Sequence, residues 1–246
     1  MSVAPSDVPL QLNERLDRGA IRQAFDSRGR VHIPQFFQTA SAIRIATALR
    51  EETPWQLSLN SGSRHVDLAT GDIEALPSAQ QVLLVNAINE DAKSRFQYVF
   101  NNYPIHDLYR SGRDHDHFLM RVYEYLNAAA FLEFVREVTG FGEIAAADAQ
   151  ATLYRPGHFL TAHDDDVAGK GRLVAYVLNF TSGWSADWGG ILQFIDAAGH
   201  IAEGYTPTFN SLNLLRVPQQ HCVSYVTPAG SAGRYSITGW LRTALD

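Results

Sequence analysis

Cysteine is almost absent from this 246-residue chain: Cys222 stands alone. A single thiol allows no internal disulfide framework and no cysteine-based zinc site, so a packed core must hold the fold together. Lysine is nearly as scarce. Lys93 and Lys170 are the only two among 20 basic residues, and 26 acidic residues leave a net charge of −6. A surface of that sign lacks the field that neutralises phosphates, so no nucleic-acid partner is expected. No apolar run approaches the roughly 18 residues of a membrane span. The opening MSVAPSDVPLQLNERL has no basic stretch leading into an apolar one, so no secretory signal is expected. A cytoplasmic, reducing setting without a membrane partner is the expectation. Glycine-rich phosphate loops, internal repeats and low-complexity tracts are missing as well.

What is present is an ordinary globular mixture, 46% hydrophobic and 19% charged, enough for one large domain. Its two halves read differently. Up to about residue 150 the periodicity is mainly helical. Leu16, Ala20, Ile21, Ala24 and Phe25 mark a helix from Asn13 to Arg28 that Gly29 would cap. A short extended run, Val31 to Pro34, leads to a second helix from Ser41 to about Glu52. Val82, Leu83, Val85, Ala87 and Ile88 support a long helix from Ser78 to about Tyr98, and His117 to Thr139 a further one broken near Asn127. From residue 151 the period becomes two, with strands expected near 151–154, 158–162, 172–180, 190–196, 210–216, 221–227 and 234–242. Short strands without intervening helices suggest a sandwich or jelly-roll barrel, one face covered by the earlier helices.

Nine histidines invite a search for ligand spacings. His-x-Asp occurs twice. His65-Val66-Asp67 lies between Ser/Gly-rich residues and a helical pattern, and reads as a surface loop. His163-Asp164-Asp165 sits where a strand runs into an acidic turn; residues i and i+2 of an extended segment point the same way, so imidazole and carboxylate can converge on one ion. His221, heading a later strand, is the natural third ligand, although on its own it also reads as a satisfied core histidine. Two histidines and one carboxylate leave three adjacent coordination positions open, as in non-haem Fe(II) oxygenases. In the last strand Arg234, Ser236, Thr238 and Trp240 share a face. An arginine facing into a barrel needs an anion, and a dicarboxylate could take its planar fork with help from the Ser236 hydroxyl; an exposed arginine on an edge strand is the competing reading. A different metal centre at His115-Asp116-His117 is weaker, because helical i and i+2 positions face apart.

Taken together, His163-x-Asp165, His221 and Arg234-x-Ser236 resemble the Fe(II)- and 2-oxoglutarate-dependent dioxygenases, within them the prolyl 4-hydroxylase-like group. Tyr154-Arg-Pro-Gly157 is similar to the family's Tyr-x-x-Gly segment, and Trp188-Gly-Gly-Ile-Leu-Gln-Phe194 to its Gly-Gly-x-Leu-x-Phe strand. Asn213 to His221 resembles the approach to its distal histidine, and Gly29 to Phe37 the segment that opens many members. The resemblance implies an α+β fold with a double-stranded β-helix (jelly-roll) core. It implies a single dioxygenase domain over 1–246, mainly helical to 150, with the iron site in 151–246. It also implies that His163, Asp165 and His221 bind Fe(II), that Arg234 anchors the distal carboxylate of 2-oxoglutarate with Ser236, and that Tyr154 touches the same cosubstrate. Dioxygen would be the second cosubstrate, with ascorbate as a reductant. The activity implied is hydroxylation of a C–H bond, in a prolyl residue of a protein or peptide, with succinate and carbon dioxide as co-products. A free amino acid or other small molecule is the competing substrate. An oxygenase of different outcome, a metallohydrolase and a non-catalytic metal-binding jelly-roll module are the competing functions.

Overall fold

The computed structural model describes residues 8–245; the first seven residues of the opening segment and Asp246 lie outside the described residues. Helix α1 (Arg18–Arg28) starts where the Asp17 carboxylate accepts from the Ala20 amide, and it ends on Gly29 in the left-handed conformation at φ 66°. Strand β1 (Arg30–Pro34) follows, then α2 (Thr39–Thr47), which runs on as one π-helical turn, Ala48–Glu52.

Here the first half departs from expectation. Residues read as loop and helix form the hairpin β2 (Gln56–Ser61) and β3 (Arg64–Ala69) and, further on, β4 (Tyr98–Tyr103). Between them lie α3 (Thr70–Glu74) and α4 (Ser78–Ala92), the latter six residues shorter at its C-terminus than its periodicity predicts. Of the apolar residues that suggested α4, only Ile88 is buried, while Val82 and Leu83 are 57% and 66% exposed. Helix α5 (Ile105–Arg110) precedes α6 (Phe118–Leu126) and α7 (Ala129–Thr139), and the last two are separated at Asn127 as expected.

Nine strands complete the chain: β5 (Ala146–Ala147), β6 (Gln150–Tyr154), β7 (Phe159–His163), β8 (Arg172–Asn179), β9 (Leu192–Ile195), β10 (Ile201–Tyr205), β11 (Ser211–Arg216), β12 (His221–Val223) and β13 (Arg234–Arg242). All pairings are antiparallel, in the order β1-β11-β8-β13-β6-β4-β7-β12-β9-β10, with β2 and β3 joined on at β4. Strand β4 is the corner. Its Tyr98 and Val99 pair with β7 and its Asn101 to Tyr103 with β6, so the large sheet bends into the smaller β7-β12-β9-β10 layer. The result is the jelly-roll expected of residues 151–242, with β4 from the first half built into its wall.

Alternation fixes which side does what. On β13, Ile237 and Leu241 face a core shared with α1, α2, α6 and α7, in which Phe36, Phe131, Phe134 and Tyr176 are almost completely buried. Tyr176 donates its hydroxyl to the Asp148 carbonyl at 2.7 Å and packs edge-on to Phe131. It therefore belongs to the helix-covered side rather than the barrel interior. Arg234, Ser236, Thr238 and Trp240 take the other face of β13, inside the barrel. Gly239 sits between them where β13 passes the Asp148 backbone; a Cβ there would lie 2.2 Å from the Asp148 carbonyl oxygen.

Candidate active site

His163 ends β7 and His221 begins β12, and the two are direct cross-strand partners with ring centroids 4.2 Å apart. Asp165 lies two residues beyond β7, in a turn. Its φ of 65° is left-handed, a conformation that non-glycine residues adopt at a cost and that is common at functional sites. This turn, rather than the strand alternation expected, swings the carboxylate back toward the imidazoles. Asp165 Oδ1 is 3.3 Å from His163 Nε2, and Oδ2 is 3.4 Å from His221 Nε2. One donor atom from each of the three lies within 4.8 Å of the others, the one such group of three among the described residues.

The backbone sets the tautomers. His163 Nδ1 lies 3.0 Å from the Thr161 carbonyl and His221 Nδ1 2.7 Å from the Gln219 carbonyl. A carbonyl only accepts, so each Nδ1 carries the proton and each Nε2 turns a lone pair toward Asp165. Three converging acceptors require positive charge among them, a proton on an imidazole or a metal ion. Burial pushes the Asp165 carboxyl up, but the hydrogen bond that His163 gives when both its nitrogens are protonated, and the nearness of both imidazoles, outweigh it and hold it below the ordinary range. Burial and the neighbouring His163 push His221 down, toward the neutral, ligating form. The donor set fits a divalent first-row metal on a two-histidine, one-carboxylate face.

A cavity of about 460 Å³ extends from this cluster into the barrel. Leu160, Leu192 and Val223 line it from the small layer and Thr152, Tyr154, Val177 and Arg234 from the large sheet. Arg234 is 2% exposed, its Nε has no hydrogen-bond partner, and no carboxylate pairs with it among the described residues. Tyr154, directly opposite on β6, holds its ring 4.7 Å from the guanidinium. Burial pushes the Tyr154 hydroxyl up to about 12, so the phenol stays protonated. A buried guanidinium without an anion is costly, and a carboxylate entering the cavity would remove that cost. Ser236 is fully buried but bonds Thr152 Oγ1 at 2.8 Å, and it is Thr152 that lines the cavity.

Other candidates fall elsewhere. His117 caps α6, its Nδ1 accepting from the Leu119 amide at 3.2 Å, and the His115-Asp116-His117 run gathers no third ligand among the described residues. Trp184 and Trp188 pack edge-on to one another, and neither lines the cavity; Trp240 does.

One constellation was misread. His65 and Asp67 lie on β3, not in a loop, and His65 lines the cavity beside Tyr98. Tyr98 donates its hydroxyl to His65 Nδ1 at 2.5 Å, and His65 Nε2 in turn reaches Asp67 at 3.1 Å. Asp67 also accepts from the Ser58 hydroxyl. This chain clasps the β2–β3 hairpin to the mouth of the barrel. The signal was present in His65-Val66-Asp67-Leu68, whose polar and apolar residues alternate with period two.

Comparison with known proteins agrees with this geometry. Residues 149–242 match the family model of the 2OG-Fe(II) oxygenase superfamily. Mouse prolyl 3-hydroxylase OGFOD1 is 29% identical over 117 residues, covering 45% of this chain and 21% of that protein, so the chain spans about a fifth of that relative's length. Among solved structures, a Pseudomonas putida prolyl-4-hydroxylase superimposes with a TM-score of 0.58 at 17% identity, over 92% of this chain and 98% of its own. A Trichoplax adhaerens prolyl hydroxylase in complex with a hypoxia inducible factor peptide fragment gives 0.61 at 14% identity, over 92% and 89%. At such identities the structural likeness speaks for the fold. The resemblance read from the sequence is borne out over residues 149–242, the stretch that matches the model of the 2OG-Fe(II) oxygenase superfamily and that holds His163, Asp165, His221 and Arg234.

Proposed function

We propose that the protein is an Fe(II)- and 2-oxoglutarate-dependent dioxygenase that hydroxylates a C–H bond of a prolyl residue in a protein or peptide, releasing succinate and carbon dioxide. One observation carries the reading: a buried arginine with no carboxylate partner among the described residues stands in the same cavity as a His-Asp-His donor set. In this reading His163, Asp165 and His221 hold the metal. When bound, Fe(II) would couple the oxidative decarboxylation of 2-oxoglutarate by dioxygen to oxidation of the substrate, with ascorbate as an auxiliary reductant.

The chain's own residues do the rest. The Arg234 fork takes the distal carboxylate of 2-oxoglutarate as a bidentate, charge-assisted pair. Tyr154 holds the guanidinium in place from below, and Ser236 fixes the Thr152 hydroxyl at the cavity wall. The Thr161 and Gln219 carbonyls keep both imidazoles in the ligating tautomer. Leu160, Leu192, Val223 and Phe100 exclude water from the space between.

Two features support a polypeptide over a free small molecule. Prolyl hydroxylation is the named activity of OGFOD1 and of the Pseudomonas putida neighbour. A second cavity of about 660 Å³ also adjoins the first and shares His65, Gln150, Thr238 and Trp240 with it, giving room for a chain longer than one residue. The same proposal treats 1–246 as one dioxygenase domain, since β4 of the first half sits within the barrel wall and the largest core cluster draws on both halves. A reducing, cytoplasmic setting is part of the reading and suits the single free Cys222.

The test is turnover with Fe(II), 2-oxoglutarate and ascorbate on a pool of prolyl peptides beside free proline, read by mass spectrometry. Peptides gaining one oxygen atom at proline are expected. Oxygen gained by the free amino acid alone would replace the polypeptide reading with the small-molecule one.

A further inference from the structure

We propose that the second cavity, beside the metal centre, is a cation-accepting subsite that selects a lysine or arginine side chain close to the residue being oxidised. The inference rests on the polypeptide reading above and adds the chemistry of the segment recognised.

The cavity is open and strongly polar, and acceptors dominate it. Asp67, Asp107, Asp114 and Asp148 line it against Arg113 as the one lysine or arginine. Two of these carboxylates are already engaged: Asp67 by His65 and Ser58, and Asp148 by Arg242 at 3.5 Å and the Trp240 amide at 2.7 Å. Asp114 accepts one bond, from the Tyr103 hydroxyl at 3.1 Å, and both Asp107 and Asp114 are exposed to the cavity side of α5 and its following turn.

A separate observation points to a ligand. Asn102, on the floor of the cavity, is 3% exposed and its Oδ1 has no hydrogen-bond partner. A buried acceptor left unsatisfied is costly, and a donor-rich group would recover that cost. Ammonium and guanidinium groups supply donors without acceptors and bring the charge that Asp107 and Asp114 call for.

Position ties the subsite to the reaction. Tyr98, Phe100 and Asn102 follow one another on the same face of β4, the first two in the metal cavity and the third in its neighbour. Two residues of strand span about 7 Å, so an extended substrate with its oxidised residue at the metal would place its cation within about three positions of it. The clasp from Tyr98 through His65 to Asp67 runs along the boundary and holds the hairpin that walls both spaces.

Binding decides the matter without turnover. The protein loaded with Mn(II) and 2-oxoglutarate is titrated with blocked proline-centred heptapeptides carrying lysine, arginine, norleucine or glutamate at each flanking position. Cationic peptides are expected to bind about tenfold tighter than their norleucine counterparts, as a charge-assisted pair at a partly shielded site should. The preference should shrink with added salt and vanish in an Asp107→Asn/Asp114→Asn variant; Asn102→Leu should weaken it. Equal binding of all peptides, preference for glutamate, or a cation preference that survives the double variant would overturn the proposal. Peptide-free succinate formation with Fe(II), measured on the same proteins, reports separately on folding and on the oxygenase reading. Wild type forming no succinate sinks that reading, while the binding series still judges the subsite.

Discussion

Arg234 is the residue on which the account turns, and its chemistry pulls stability and function apart. Removed from water without an anion, a guanidinium destabilises the fold around it. Arg234→Met keeps much of the side-chain volume and removes the charge. The variant is expected to unfold at the same or a higher temperature than wild type in the absence of 2-oxoglutarate, measured by calorimetry. Saturating 2-oxoglutarate, added anaerobically with Fe(II), should then stabilise wild type by about 2.7 kcal/mol at a hundredfold excess over Kd and leave Arg234→Met unmoved. A variant that is strongly destabilised and still gains from 2-oxoglutarate would mean that Arg234 is structural. His163, His221 and Arg234 were legible from the sequence because each is a polar group in a strand pattern that buries it, and Asp165 through its spacing from His163. What was not legible was the reason they converge. The left-handed turn at Asp165 is a backbone fact with no glycine or asparagine to advertise it.

At the scale of elements, the turn between β6 and β7 carries a pH dependence. His158 accepts from the Arg155 amide through Nδ1 at 3.2 Å, and burial pushes its imidazole down to about 4. The unfolded chain takes up this proton near pH 6.5 and the folded chain only near 4. The contribution is therefore complete above pH 6.5 and is lost as pH falls toward 4, with a slope of at most about 1.4 kcal/mol per pH unit. Denaturant unfolding of His158→Gln across that range should show a shallower fall than wild type; parallel curves would remove His158 from the explanation. Strand β13 makes a second prediction. Gly239→Ala sets a methyl against the Asp148 carbonyl, so β13 must shift, at a cost of about 1–3 kcal/mol, and Trp240 shifts with it. Weaker 2-oxoglutarate binding together with lower stability is expected, and an unchanged protein would mean that the Asp148 segment yields freely. These later strands were readable since their alternation is clean. Strands β2, β3 and β4 were not. Asn101 and Asn102 are both buried on β4, which erases its alternation, and of the apolar residues that marked α4 only Ile88 reaches a core, so the helical signal did not show where the helix packs.

For the whole molecule, the barrel is built by both halves of the chain. Strand β1 extends the large sheet beyond β11, β4 joins the two layers, and the aromatic cluster of Phe36, Phe131 and Phe134 packs α7 against that sheet's outer face. Layer architecture was visible from the sequence because a jelly-roll needs many short strands and one covered face. The participation of the first half was not, because β1 and β4 pair with strands of the second half 48 or more residues away, which leaves no local trace.

The most direct test of the central claim is an anaerobic titration of the purified protein with Fe(II) and 2-oxoglutarate, followed in the visible range. The account predicts a weak charge-transfer band from chelated 2-oxoglutarate, absent in His163→Ala and Arg234→Met at the same ligand concentration, and succinate once oxygen is admitted. No band and no succinate from wild type at saturating Fe(II) would contradict it.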